Sequence, residues 1–206
     1  MFPLGSVLFP GMPLTLHVFE PRYRALVAAC VAGAERGESP EFGVVLIERG
    51  TEVGGGDQRF AVGTVARLTQ VAELHDGRYA TMAVGTRRVA VQAWLGEDPY
   101  PRAEVEDVGE AHFDPGLDPP LLQRAEEQVR RCLALKHQLE EPAFPADVEL
   151  DADPAAAAWQ LAAIAPVGEL DQLALLVSPS CTELLSQLHD LALEEAAVLA
   201  FRLGSG

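Results

Sequence analysis

Lysine is nearly missing from this chain of 206 residues, with Lys136 the single example. A P-loop needs a lysine directly after a Gly-rich turn, and a Ser-Lys nucleophile needs one poised beside its serine. Lys136 follows no Gly-rich loop and sits near the end of an amphipathic stretch, which excludes the first and opposes the second. Cysteine is scarce as well. Cys30, Cys132 and Cys181 are odd in number, far apart and set in helix-like patterns, which opposes a disulfide framework and suits reduced, buried thiols. No uncharged apolar run approaches the roughly twenty residues of a membrane span, and no basic start leads into an apolar stretch, so a cytoplasmic protein without membrane contact is expected. Positive charge gathers no further than Arg87-Arg88 and Arg130-Arg131, while the formal net charge is -16. Nucleic acid demands a basic patch to neutralise phosphates and is therefore not an expected partner. His17, His75, His112, His137 and His189 lack Cys or His neighbours at zinc spacing, so they read as surface or packing residues, and neither metal nor cofactor is expected.

What is present is apolar material, 49% of the residues, enough to bury a core. The acidity is uneven. Residues 1–110 carry ten Arg and fifteen acids, or -5, whereas residues 111–206 carry five basic residues and sixteen acids, or -11. A two-part molecule is the natural reading.

The chain is organised around its opening stretch. Leu4, Val7, Leu8 and Phe9 form an apolar run closed by a Pro10-Gly11 turn, and Leu14, Leu16 and Val18 then alternate with Thr15 and His17 as in a half-buried strand. Glu20 and Pro21 suit a helix start. Tyr23, Leu26, Val27, Cys30 and Val31 recur at helical spacing, Glu20 and Arg24 stand four apart as a charge pair, and Gly33 is the expected stop.

Further on, residues 42–47 are an unbroken apolar run suited to a central strand, and residues 50–59 with Gly54-Gly55-Gly56 inside read as a mobile loop lacking the spacing and lysine of a phosphate cradle. A long strand over 60–74 is expected, with Gly63 marking a bulge or close packing, followed by a tight turn at Asp76-Gly77. Strands over 79–84 and 88–94, parted by Gly85, complete a meander, and Ala103 and Val105 alternate with Arg102, Glu104 and Glu106 in a strand with one wet face. Residues 109–120 hold Asp114-Pro115-Gly116 and Asp118-Pro119-Pro120 and break the pattern. Beyond them Leu122, Ala125, Val129, Cys132, Leu135 and Leu139 trace an amphipathic helix ending near Glu140; Asp153-Pro154 starts a second, 169–177 a third, and Ser180 with Glu183 forms a capping box for the last. The fold class is α+β. Residues 1–108 form a β-rich subdomain with an inserted helix, 109–120 a linker, and 121–206 a C-terminal helical bundle.

Phe2-Pro3-Leu4, Val7-Leu8-Phe9-Pro10-Gly11 and Phe19-Glu20-Pro21-Arg22-Tyr23-Arg24, in this order and spacing, resemble the opening of the Lon substrate-binding domain, the N-terminal domain of the ATP-dependent Lon protease. Gly63-Thr64-Val65-Ala66, Asp76-Gly77-Arg78, Gly85-Thr86-Arg87-Arg88 and the strand from Pro99 continue the resemblance, and Trp159-Gln160-Leu161 with Pro166 extends it less specifically. The resemblance implies a PUA-like, partly open β-barrel for the first subdomain and a polypeptide or protein partner. It covers substrate recognition alone, since the motor and protease chemistry is opposed by the lysine count.

Within the matching segment Phe19, Arg22 and Tyr23 are the candidate peptide-binding residues. A structural reading of Arg22 as partner of a carboxylate and of Tyr23 as a core packer competes with that role and is preferred. The leading functional reading is a non-catalytic, stand-alone polypeptide-recognition module for unfolded or degron-like segments, conceivable as a proteolysis adaptor, with no oligomeric state implied. The alternative is a small-molecule sensor with a closed barrel pocket lined by convergent polar groups. A hydrolase built on Cys30 or a carboxylate pair such as those of Glu104, Glu106 and Asp107 ranks third; a core thiol and a solvated face explain those residues more simply.

Overall fold

The computed structural model describes residues 1–53 and 56–205. Gly54 and Gly55 of the loop expected over 50–59 lie outside the described residues. The chain divides into two compact units, Met1–Gly109 and Glu110–Gly206.

The first unit holds a mixed sheet of six strands and one helix. In chain order these are β1 (Phe2–Leu4), β2 (Pro13–Val18), α1 (Pro21–Glu35), β3 (Glu41–Arg49), β4 (Gln58–Glu73), β5 (Tyr79–Leu95) and β6 (Arg102–Asp107). The sheet order is β1-β3-β4-β5-β2, with β6 also on β5. β1 runs parallel to β3, and the other pairings are antiparallel. Apolar residues of the sheet and of α1 form one core: Phe2, Val18, Phe42, Val44 and Leu68 close around Tyr23, Leu26 and Val27. Burying each of the larger aliphatic side chains stabilises the unit by about 1.5–3 kcal/mol.

The opening stretch differs from its expected form. The first strand is confined to Phe2–Leu4, and Val7, Leu8 and Phe9 lie outside any ladder. Their backbone is instead held against β4 and β5: Thr64 Oγ1 donates to the Leu8 carbonyl, and a Cβ placed on Gly85 would meet the Phe9 carbonyl oxygen at 2.3 Å. The Pro10-Gly11 turn is present. Met12 N donates to Phe9 O at 3.2 Å and Gly11 has φ 77°, the left-handed position that a Pro-Gly turn of type II requires. Gly11 N and Gly85 N bond Gly85 O and Met12 O respectively, so the turn docks on β5 and does not make a hairpin of β1 with β2.

Two further boundaries and one strand face are corrected. Helix α1 passes through Gly33 and stops at Arg36, because Gly37 adopts φ 85° and donates to Ala34 O while Glu38 N donates to Gly33 O, a Schellman closure. Strand β5 is continuous through Gly85, where its neighbour on one side changes from β2 to β6. In β6 Val105 is exposed along with the acids, since the strand caps the sheet with little packed over it. The Asp76-Gly77 turn is as expected, with Gly77 at φ 75° and Leu74 N donating to Arg78 O at 2.8 Å.

The second unit holds α2 (Pro119–Gln138), α3 (Pro154–Ile164), α4 (Glu169–Leu176) and α5 (Cys181–Gly204). Helix α2 begins inside the stretch read as a linker, because Asp114 organises that stretch into a turn that leads directly into it. Helices α2 and α5 pack together, Ala125, Val129, Cys132 and Leu133 of the first and Leu184, Leu185, Leu188 and Ala192 of the second being buried, and Cys132 Sγ donates to Ala192 O at 3.0 Å. Helix α3 is apolar nearly all round and accordingly buried, and Asp153 caps it by accepting from Ala156 N at 2.9 Å. Ser180 caps α5 by accepting from Glu183 N at 3.2 Å. Among the described residues no helix is long and apolar enough to cross a membrane.

Candidate functional site

The junction of β2 and α1 brings the three candidate residues together in sequence but gives them different environments. Phe19, where β2 ends, is 52% exposed, whereas Tyr23 is 3% exposed and stacks on Phe2 with ring centroids 4.1 Å apart. Arg22 lies between these extremes on the first turn of α1. Its Nε meets Glu20 Oε2 at 3.2 Å, its Nη1 stands 3.8 Å from Glu97 Oε2, and its Nη2 donates to Glu52 O at 3.3 Å. The guanidinium also lies 4.4 Å from the Tyr23 ring centroid.

Glu97 extends this arrangement to Arg59, which also binds Asp57 and sits 5.0 Å over the Trp94 ring. Five charges thus alternate in sign from Glu20 through Arg22, Glu97 and Arg59 to Asp57. Removing one member would strand its neighbours in a poorly solvated place, so the chain of ion pairs fixes the rim more than it offers free groups. Burial would raise the Asp57 carboxyl, but the hydrogen bond from Arg59 and the charges of Arg59 and Arg22 hold it below the ordinary carboxylate range. An exposed aromatic ring beside a fixed rim of charge can hold a ligand.

Burial raises the Tyr23 phenol to about 12, the dominant cause, and the hydroxyl has no hydrogen-bond partner among the described residues. The folded state therefore favours the neutral phenol. That contribution is complete below the ordinary tyrosine pKa of about 10 and is lost as pH rises through about 12. Tyr23→Phe is expected to gain roughly 1 kcal/mol at neutral pH by removing a buried, unpaired hydroxyl, and to flatten the loss of stability between those two values. Urea titrations of both proteins at neutral and alkaline pH check this. A less stable Tyr23→Phe protein would mean that the hydroxyl is bonded.

The thiols are poorly placed for nucleophilic work. Cys30 is half-buried and donates to Glu41 O at 3.5 Å, and burial raises its pKa; Cys132 and Cys181 are buried and raised to about 11 and about 12. In the second unit an apolar groove of about 480 Å³ is lined by Leu133, Phe144, Ile164, Pro166 and Val167, with Lys136 at its side. The partners of Arg22 in loops far along the chain, Glu97 and Glu52, and the pairing of Arg59 with Trp94 escaped the sequence reading; no spacing rule links residues so far apart.

A family model described as the ATP-dependent protease La (LON) substrate-binding domain matches residues 1–193. The chain is similar to Lon protease 2 of Herpetosiphon aurantiacus, with 25% identity over 198 residues that make up 95% of this chain but only 23% of that protein. It thus spans a minor share of the length of that relative. Among solved structures it resembles a Lon N-terminal domain protein from Xanthomonas campestris, at 29% identity and a TM-score of 0.57, with 91% of this chain and 94% of the other covered. It shares its fold with the N-terminal domain of a Mycobacterium avium complex Lon protease, at 21% identity and a TM-score of 0.63, with 93% and 97% covered.

Proposed function

Because the chain belongs to the Lon substrate-binding domain family, we propose that it is a non-catalytic module that recognises polypeptide, in particular unfolded or degron-like segments, and presents them for proteolysis. On this reading the first unit is a PUA-like, partly open barrel, residues 109–120 join it to a second subdomain, and the four later helices act as a bundle. The observation that carries the proposal is Phe19. A large ring left half exposed at the point where β2 passes into α1, close in the chain to the ion-paired Arg22 and the buried Tyr23, is the kind of aromatic anchor that protein contacts use. Phe19 and the outer edge of Arg22 touch the peptide, and Tyr23 supports them from the core. The small-ligand reading lacks a comparable observation, and the family argues for polypeptide.

The test is binding of a reduced and alkylated, permanently unfolded protein to the full chain by fluorescence anisotropy. Phe19→Ala is expected to weaken it roughly tenfold while leaving the fold intact, the loss typical of one aromatic anchor. Unchanged affinity would remove Phe19 from the site, and no binding by the parent protein would sink the proposal.

A further inference from the structure

Among the described residues strand β6 pairs with β5 along one side only, and all but one of its residues are exposed. Its other side is a free sheet edge, a row of main-chain donors and acceptors to which an extended chain can add. The two faces of that edge differ. Val105 stands opposite Val91 and Ala103 opposite Trp94, and with Val105 43% and Trp94 38% exposed this face is apolar up to Asp107 at the end of the strand, which pairs with Arg87. On the other face lie Glu104 and Glu106, after Arg102; Gln92 Nε2 donates to Glu106 Oε2 at 3.1 Å.

We propose that the free edge of β6 binds an extended polypeptide segment in which apolar and basic residues alternate, by adding it as a further strand. Side chains of an added strand alternate between faces with the same period as those of β6. An apolar residue of the segment then covers Ala103 and Val105, and the next residue, if lysine or arginine, meets Glu104 or Glu106. A second copy of this chain is disfavoured as the occupant, because two β6 strands would bring together three acids and one arginine from each copy, in a molecule of net charge -16. The inference rests on the polypeptide-recognition reading and adds the chemical class of the segment and the place where its main chain runs.

The full chain is titrated with a fluorescent peptide alternating valine and lysine, its valine–glutamate counterpart, a block-ordered peptide of the same valine and lysine composition, and a copy of the first with alternate amides N-methylated. The alternating basic peptide is expected to bind roughly tenfold more tightly than the acidic one, from two cross-strand charge pairs, and more tightly than the block peptide. N-methylation on the amides facing β6 abolishes binding, and E104K/E106K, changed at two exposed positions, reverses the preference. Equal binding of the block and alternating peptides, indifference to N-methylation, or an unaltered preference in E104K/E106K would each overturn the proposal. If the unfolded protein of the earlier test binds and these peptides do not discriminate, this inference alone fails; if neither binds, the underlying reading fails with it.

Discussion

Replacing Gly63 with alanine is expected to lower the unfolding free energy of the β-rich unit by about 3 kcal/mol or more, the upper range for overpacking. A methyl group there would lie 2.0 Å from Val44 O and 2.8 Å from Val45 Cγ1. The obstacle is main chain with little freedom to retreat, since Val44 is paired with Phe2 of β1 on one side and with Thr64 of β4 on the other. Alanine restricts the unfolded chain and so favours folding by up to about 1 kcal/mol, which is too little to offset the collision. The molecule supplies its own reporters, because Trp94 lies in the first unit and Trp159 in the second. Urea unfolding followed through Trp94 in a Trp159→Phe background measures the effect. A change below about 1 kcal/mol would show that β3 can shift to make room.

Asp118→Ala should cost the helical unit about 2–4 kcal/mol, because two donors lose the buried carboxylate that they share. Asp118 is fully buried, accepts from Asp114 N at 2.7 Å and from Thr182 Oγ1 at 2.6 Å, and gives its own carbonyl to Leu122 N at 2.8 Å. One carboxylate thereby ties the turn before α2 to the first turn of α5. Asp118→Asn keeps an acceptor and should retain much of the stability, while Thr182→Val removes one donor and should cost less than Asp118→Ala. A double-mutant cycle read through Trp159 in a Trp94→Phe background isolates the pair. Additive losses at the two positions would contradict a direct bond.

The contrast between these residues explains what the sequence made legible. Gly63 stood out as a glycine inside a strand pattern, and close backbone approach was one of two meanings it could carry. The alternation in β2, the Pro21 start of α1 and the Asp76-Gly77 turn were equally readable, since each depends on neighbours within a few residues. Glycine was ambiguous elsewhere. Gly33 read as the helix stop, whereas the chain's return to Glu38 places the stop at Gly37. Gly85 looked like a break between two strands, yet the missing side chain admits the Phe9 carbonyl and the strand runs on. Asp118 read as an ordinary loop residue before two prolines, because its partner Thr182 is 64 positions away. The candidate site was divided in the same manner. Phe19, Arg22 and Tyr23 were visible as a segment, but exposure separates Phe19 from Tyr23, and Glu97 comes from the far end of β5.

The partner exchange of β5 at Gly85 has a dynamic counterpart. This strand bonds β4 along most of its 17 residues and gives its opposite edge to β2 as far as Val84 and to β6 from Val89, so Ala83, Val84, Val89 and Ala90, on either side of the exchange, are paired on both edges. Opening each of them requires two ladders to part at once. In a deuterium-labelling experiment the amides around Gly85 should be the last of the first unit to exchange, at the rate of its global unfolding, while those of β6 exchange early through local opening. A sheet with so protected a middle and so loose a rim can remodel its edge without disturbing its core.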